Sequence, residues 1–238
     1  MRKLSLISIF LLFVIPAFAQ DEELVMVDSY RLIEKDGFSF DFTLSEKNGD
    51  EASDYTMRVH VKDTTGESAV CKYISPVKMK GRIVLVDGKK FWYLDQGMRS
   101  PIRISSRQML FGQASAGDIT RIVFYNFYSI SEKTEADDLI VLKLKALPQK
   151  GAIYNSIHLY VEPETYKPVF AECFAKSGQL LKKIKYTDYG VYKGREVLTG
   201  MEISSADGNS INQIALLNFS SDKLDNRYFN KAFINRIP

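Results

Sequence analysis

"FSFDFTLSEKNGD", residues 38–50, places Phe38, Phe40, Phe42 and Leu44 on one parity and Ser39, Asp41 and Thr43 on the other. A period of two over seven residues means a strand with one face against a core and one in water, the habit of antiparallel sheets. Asn48-Gly49 supplies a residue pair suited to a tight hairpin. Just downstream Tyr55, Met57, Val59 and Val61 alternate with Thr56, Arg58, His60 and Lys62. The fold is therefore read as a sheet of hairpins.

Outward from this pair the pattern recurs. A strand near 70–74 leads to Ile83 and Leu85, then to Asp87-Gly88 and the aromatic run Phe91-Trp92-Tyr93. A two-residue turn at Asp87-Gly88 would set Leu85 opposite Lys90 and Ile83 opposite Trp92. Ile83, Leu85, Trp92 and Leu94 then share one face, with Val84, Phe91 and Tyr93 on the other. Further strands are expected at Ile140/Leu142/Leu144, Ile157/Leu159/Val161, 168–176, 179–188, Val197/Thr199/Met201/Ile203 and 209–219. Two stretches break the period. Residues 21–36 carry Leu24, Val27, Leu32 and Ile33 at helical spacing with acids leading and Gly37 after. In 105–128 a helix is expected from Gly117-Asp118, with Ile119, Ile122 and Val123 on its apolar face. The fold class is α+β: a strongly curved antiparallel sheet, an unclosed β-barrel of about ten strands, with helices covering the concave face.

The chain opens MRKLSLISIFLLFVIPAFAQ: a basic start, an apolar run from Leu4 to Pro16 and the small-residue site Ala17-Phe18-Ala19. Cleavage after Ala19 and export to the periplasm are expected, with 20–238 as one domain, since no linker or repeat divides it. The apolar run falls short of the roughly 20 residues that span a bilayer. Without Arg2 and Lys3 the 32 basic residues fall to 30 against 29 acidic ones, which gives no electrostatic case for nucleic acid. In an oxidising compartment Cys71 and Cys173 could pair; two buried thiols are the other reading.

Chemistry-bearing motifs are scarce. His60 and His158 have no partner at metal-ligand spacing, Ser115 in GQASAG lacks nucleophile-elbow spacing, and no phosphate loop or cofactor motif is present. An enzyme is disfavoured. Arg99, Arg103 and Arg107 follow the aromatic run, and Pro101 argues against a helix there. They read as a solvated loop or as a basic rim beside an apolar pocket suited to an anionic or polar lipid head. The pocket wall would be Phe38, Phe40, Phe42, Met57, Val59, Ile83, Leu85, Trp92, Leu94, Leu142, Leu144, Leu159 and Met201. The same residues serve equally as a filled core.

Phe91-Trp92-Tyr93-Leu94, the loop Arg99 to Ser105, and Phe111-Gly112 through Asp118-Ile119 resemble the outer-membrane lipoprotein-sorting family related to the Lol lipoprotein carriers. There an aromatic "lWlYlP"-like strand leads to "r-x-x-R-I-S" and then to "F-G-S-D-F-S-x-x-D-L"; the terminal NRYFNKAF, 226–233, is also similar. Gln113-Ala114-Ser115-Ala116 replaces the polar "S-D-F-S", and the arginine-proline pair of the best-known carriers is missing. The resemblance implies an acyl-chain cavity under helices that act as a lid, with Trp92, Leu94, Ile102 and Ile104 facing the cup. It also implies cargo received from an inner-membrane transporter and passed to an outer-membrane acceptor. A sensor or assembly module of the envelope, built on the same scaffold with no lipid cargo, is the competing reading.

Overall fold

The computed structural model describes residues 22–31, 34–48, 51–111, 113–121 and 123–238. The leader expected at 1–19, the helical positions Leu32 and Ile33, and the lid residue Ile122 lie outside them. A short helix, α1 (Glu22–Ser29), packs Leu24 and Val27 into the main core. It is half the length its apolar spacing suggested. Six strands follow as one meander: β1 (Phe38–Asn48), β2 (Glu51–Val61), β3 (Ser68–Ser75), β4 (Ile83–Asp87), β5 (Lys90–Leu94) and β6 (Ile102–Ile104). A two-stranded ribbon, β7 (Met109–Phe111) with β8 (Ala114–Ser115), precedes the one-turn helix α2 (Ala116–Thr120). A second meander completes the chain: β9 (Tyr128–Ala136), β10 (Leu139–Ala146), β11 (Ser156–Val161), β12 (Pro168–Phe174), β13 (Leu180–Tyr192), β14 (Arg195–Ser205) and β15 (Ile211–Ser220).

The two meanders join where β1 pairs β15, giving one curved antiparallel sheet of 13 strands in the order β6-β5-β4-β3-β2-β1-β15-β14-β13-β12-β11-β10-β9. The count exceeds the ten expected because the two edge strands carry no clean alternation. β9 reads YSISEKTEA and is largely exposed, and β6 holds three residues after a proline. Edge strands have no two-sided burial to impose a pattern.

The topology has a direct consequence. The sheet ends at β6 and at β9, which are successive strands of the large sheet in the chain, so it does not close. Residues 105–127 therefore run from one free edge to the other. They form a strap over the concave face, with all of α2 buried beneath or within it. At Gly117 the packing is tight enough that a Cβ would lie 2.7 Å from the Ile153 side chain and 2.9 Å from the Ser106 carbonyl oxygen.

On the concave side Phe38, Phe40, Phe42, Leu44, Met57, Val59, Leu142, Leu144, Leu159 and Met201 share one core with α1 and α2. The 83–94 hairpin keeps the expected grouping of side chains but presents the opposite face. Val84, Val86 and Phe91 enter the main core, whereas Ile83, Leu85 and Leu94 form a separate cluster with Val70, Phe229, Ile234 and Ile237. Trp92 packs on that second cluster. The reason lies in the sequence: IVLVD is apolar on both parities, so alternation alone has no preferred face. The carboxy-terminal 3-10 turns Asn226–Phe229 and Lys231–Arg236 decide it by covering the outer surface. The pairing also shifts, to Leu85 opposite Trp92 and Ile83 opposite Leu94. The turn residues are thus Gly88 and Lys89, with Gly88 at φ 57°, where glycine is favoured.

Cys71 on β3 and Cys173 on β12 are both buried and both free, so no disulfide links them. Five strands stand between β3 and β12 in the sheet, and a disulfide needs Cα atoms roughly 4.4–6.8 Å apart. Burial pushes both thiols well above their ordinary pKa.

Candidate functional site

The strap is held by polar groups at three places. At its start, Ser115 caps α2: its hydroxyl accepts from the Asp118 N–H, and Asp118 Oδ2 accepts in return from the Ser115 N–H at 2.9 Å. Asp118 Oδ2 also accepts from Lys182 Nζ of β13 at 2.6 Å, and Oδ1 accepts from the Tyr154 hydroxyl. Lys182 donates further to the Gln113 carbonyl at 2.7 Å. The two charged side chains are 3% and 5% exposed, so the pair sits in the core with each group hydrogen-bonded to its neighbours. Burial, then the Asp118 charge, raises the Tyr154 phenol well above its ordinary value and keeps it a donor.

At the other end Asp28 of α1 accepts from the backbone N–H of Phe124 at 2.7 Å and of Tyr125 at 2.8 Å. Burial raises this carboxyl to about 7, against the opposing pull of Arg31 and of the two N–H donors. Tyr125 donates to the Thr64 carbonyl at 2.8 Å, and Asn126 to the Thr65 carbonyl at 2.9 Å, which ties the strap to the β2–β3 turn. Between these anchors Arg121 reaches the Gly88 carbonyl at the β4–β5 turn.

Beneath the strap lies a cavity of about 30 Å³, lined by apolar Val123, Phe124, Phe127, Ile157, Ala171, Ile184, Met201 and Ile203 and by polar Arg31, Asp118, Arg121 and Tyr154. A second gap of about 10 Å³ shares Arg31, Asp118 and Met201 and adds Phe40, Phe42, Ile119 and Leu216. One or two waters fill such spaces. A lipid-sized ligand needs roughly 300 Å³ or more, so the strap is closed down on the sheet in this state. A larger void of about 310 Å³ is an outer groove among Asp36, Lys62, Lys223, Asp225 and Asn226, with Val61, Leu224 and Phe229 also on its walls.

The expected site residues divide into groups. Phe38, Phe40, Phe42, Met57, Val59, Leu142, Leu144, Leu159 and Met201 face the concave interior, and Ile104 packs at its margin. Ile83, Leu85, Trp92 and Leu94 face outward under the C-terminal turns, and Ile102 is half exposed. Ile119 and Val123 are buried. The helix expected from Gly117-Asp118 is a single turn, Ala116–Thr120. Arg99, Arg103 and Arg107 are exposed, and none lines the cavity. Sequence reading overlooked Asp28, Arg31, Asp118, Arg121 and Lys182. Lys182 was legible, because it shares parity with Ile184 and Tyr186 on the core face of β13.

The fold of this chain is shared by solved structures at low sequence identity. A LolA superfamily protein from Nitrosomonas europaea superposes with a TM-score of 0.79 at 22% identity, over 91% of this chain and 100% of the other. An outer membrane lipoprotein-sorting protein domain from Vibrio parahaemolyticus gives 0.69 at 19% identity, over 92% and 100%. A DUF1329 family protein from Desulfovibrio piger gives 0.69 at 16%, over 90% and 98%. The family model that matches residues 65–236 carries the description "Uncharacterized protein", and the chain belongs to that family. No curated protein sequence matches the chain. Among the described residues no helix is long and apolar enough to cross a membrane, and no group of three potential metal ligands is present.

Proposed function

We propose that the protein is an exported, non-catalytic carrier, with its leader cleaved after Ala19 and residues 20–238 acting as one monomeric domain. It takes up the acyl chains of lipoproteins or of other lipids between sheet and strap. An inner-membrane transporter would load it and an outer-membrane acceptor would unload it. One observation carries the reading: the apolar concave face is covered by a strap whose ends are fastened through hydrogen bonds and one ion pair. The polar anchors lose little on release, because water replaces each partner. The burial of Ile119, Val123, Phe124 and Phe127 is what a bound hydrocarbon chain would have to replace.

The energetics allow the exchange. Burial contributes about 0.8 kcal/mol per methylene, so a chain of about sixteen carbons gains on the order of 10 kcal/mol towards displacing the strap. The family's fold and the lipoprotein-sorting description of one structural neighbour support the same reading. The small closed cavity favours a second reading, a sensor or assembly module of the envelope whose core stays filled. Titration of the full chain with a fluorescent stearate analogue separates the two. Saturable uptake, displaced by a palmitoylated lipopeptide, is expected of the carrier. Absence of uptake, with no lipid extracted from protein purified from its native host, would establish the filled module.

A further inference from the structure

Arg121 lines the cavity with most of its hydrogen-bonding capacity unused. The residue is 5% exposed, and of its guanidinium donors only Nη2 has a partner, the Gly88 carbonyl. Nε and Nη1 are buried without one. The group lies 4.4 Å from the centre of the Phe127 ring and 5.2 Å from that of Phe91. Ring faces of this kind partly offset the desolvation of a cation and leave its N–H edges open. No carboxylate forms an ion pair with Arg121 among the described residues; Glu67 is the acidic group whose charge reaches it. Arg31, on the same cavity, stacks its guanidinium 4.7 Å from the Phe124 ring. Asp118 is already committed to Lys182. A buried cation with idle donors, set in an apolar cavity, is complementary to an oxyanion attached to hydrocarbon.

We propose that the cavity under the strap recognises a single-chain amphiphile with an acid head, a carboxylate or phosphate monoester, whose anion pairs with Arg121 and is assisted by Arg31. This rests on the carrier reading and adds the chemistry of the head group. The head takes the gap beside Arg121; the tail takes the interface between strap and sheet, with Phe124, Ile157 and Met201 along its path. Binding thus supplies the missing partner of a buried charge and, by crowding the strap, begins its displacement.

The test compares palmitate, hexadecyl phosphate, methyl palmitate, acetate and inorganic phosphate as competitors of the fluorescent probe on the full chain, at concentrations below micelle formation. A charged hydrogen bond contributes about 1.5–3 kcal/mol, so palmitate should compete at least about tenfold better than its methyl ester. Arg121→Gln should collapse that ratio, and Arg121→Lys, which keeps the charge, should retain most of it. Thermal unfolding of each variant confirms that it folds. Equal affinity for acid and ester in the wild type would overturn the proposal, as would a ratio unchanged in Arg121→Gln. Acetate or inorganic phosphate competing as well as the long-chain acids would make this a small-anion site and overturn it too. If the ester binds and the acid has no advantage, the carrier reading stands and this one falls; if nothing competes or binds, both fall.

Discussion

The two faces of the 83–94 hairpin look alike in sequence and do opposite work. Outward, Ile83, Leu85 and Leu94 meet Phe229, Ile234 and Ile237 in an apolar cluster. Inward, Val84, Val86 and Phe91 join a core that also encloses Asp28, Asp118, Lys182 and Arg121. The outer cluster is a permanent seam: hydrocarbon against hydrocarbon, sealed by the chain's last turns. The inner one is a seam with polar fastenings and unfilled gaps. On the carrier proposal, stability and opening would fall to different sides of the same strands.

The largest expected effect falls on the inner fastening. Lys182→Met removes the cation that pairs with Asp118 in the core, and removal of one partner from such a pair costs about 3–5 kcal/mol. Denaturant unfolding should show that loss, and amide exchange should place it in the strap, at Phe124 and Tyr125, before the outer strands. Asp118→Asn combined with Lys182→Met should recover much of it, since neither charge is then stranded. A single variant within about 1 kcal/mol of wild type would mean that water already reaches the pair, and the contrast between the faces would lose its basis.

Asp28 gives the next effect, and its sign follows from the raised pKa. Folded, the carboxyl holds its proton up to about 7; unfolded, it gives it up near 3.8. Below pH 4 both states are protonated and the contribution is whole. Between pH 4 and 7 only the folded state binds the proton, so stability declines as pH rises, by roughly 2–4 kcal/mol in total, and levels off above 7. Asp28→Asn keeps an acceptor for the Phe124 and Tyr125 N–H groups and should flatten this slope. If the variant and the wild type share one slope across that window, the strap is not fastened through this carboxyl.

Much of the architecture was readable in advance, and particular residues show why some was not. The parity of Phe38, Phe40 and Phe42, of Met57 and Val59, and of Leu142 and Leu144 fixed both the strands and their inward faces, because each has a polar opposite parity. In Ile83-Val84-Leu85-Val86 both parities are apolar, so the choice between faces belonged to Phe229, Ile234 and Ile237, more than a hundred residues on. The strap's role followed from topology, since residues 105–127 link the two free edges. The weak alternation of β6 and β9 hides them as strands, and only the pairing order makes them the two edges. Its fastenings were hidden for a different reason: Asp28, Asp118 and Arg121 are single charges, and a single charge reads as surface until a partner is placed beside it.

Trp92 carries the smallest effect and the sharpest discrimination. As a wall residue it would govern lipid uptake; on the outer seam it should not. Its Nε1 is buried without a partner, and Lys231 Nζ lies 4.1 Å from its ring centre. Trp92→Phe removes the unsatisfied donor, which favours the variant, and gives up ring area and part of the attraction to Lys231, which disfavours it. These opposing contributions are each about 1 kcal/mol, so stability should stay within about 1 kcal/mol of wild type. Uptake of the stearate probe should be unchanged. A drop in uptake at unchanged stability would return Trp92 to the cavity and reverse the assignment of the two faces, because β4 and β5 are paired in register and Ile83, Leu85 and Leu94 must turn with it.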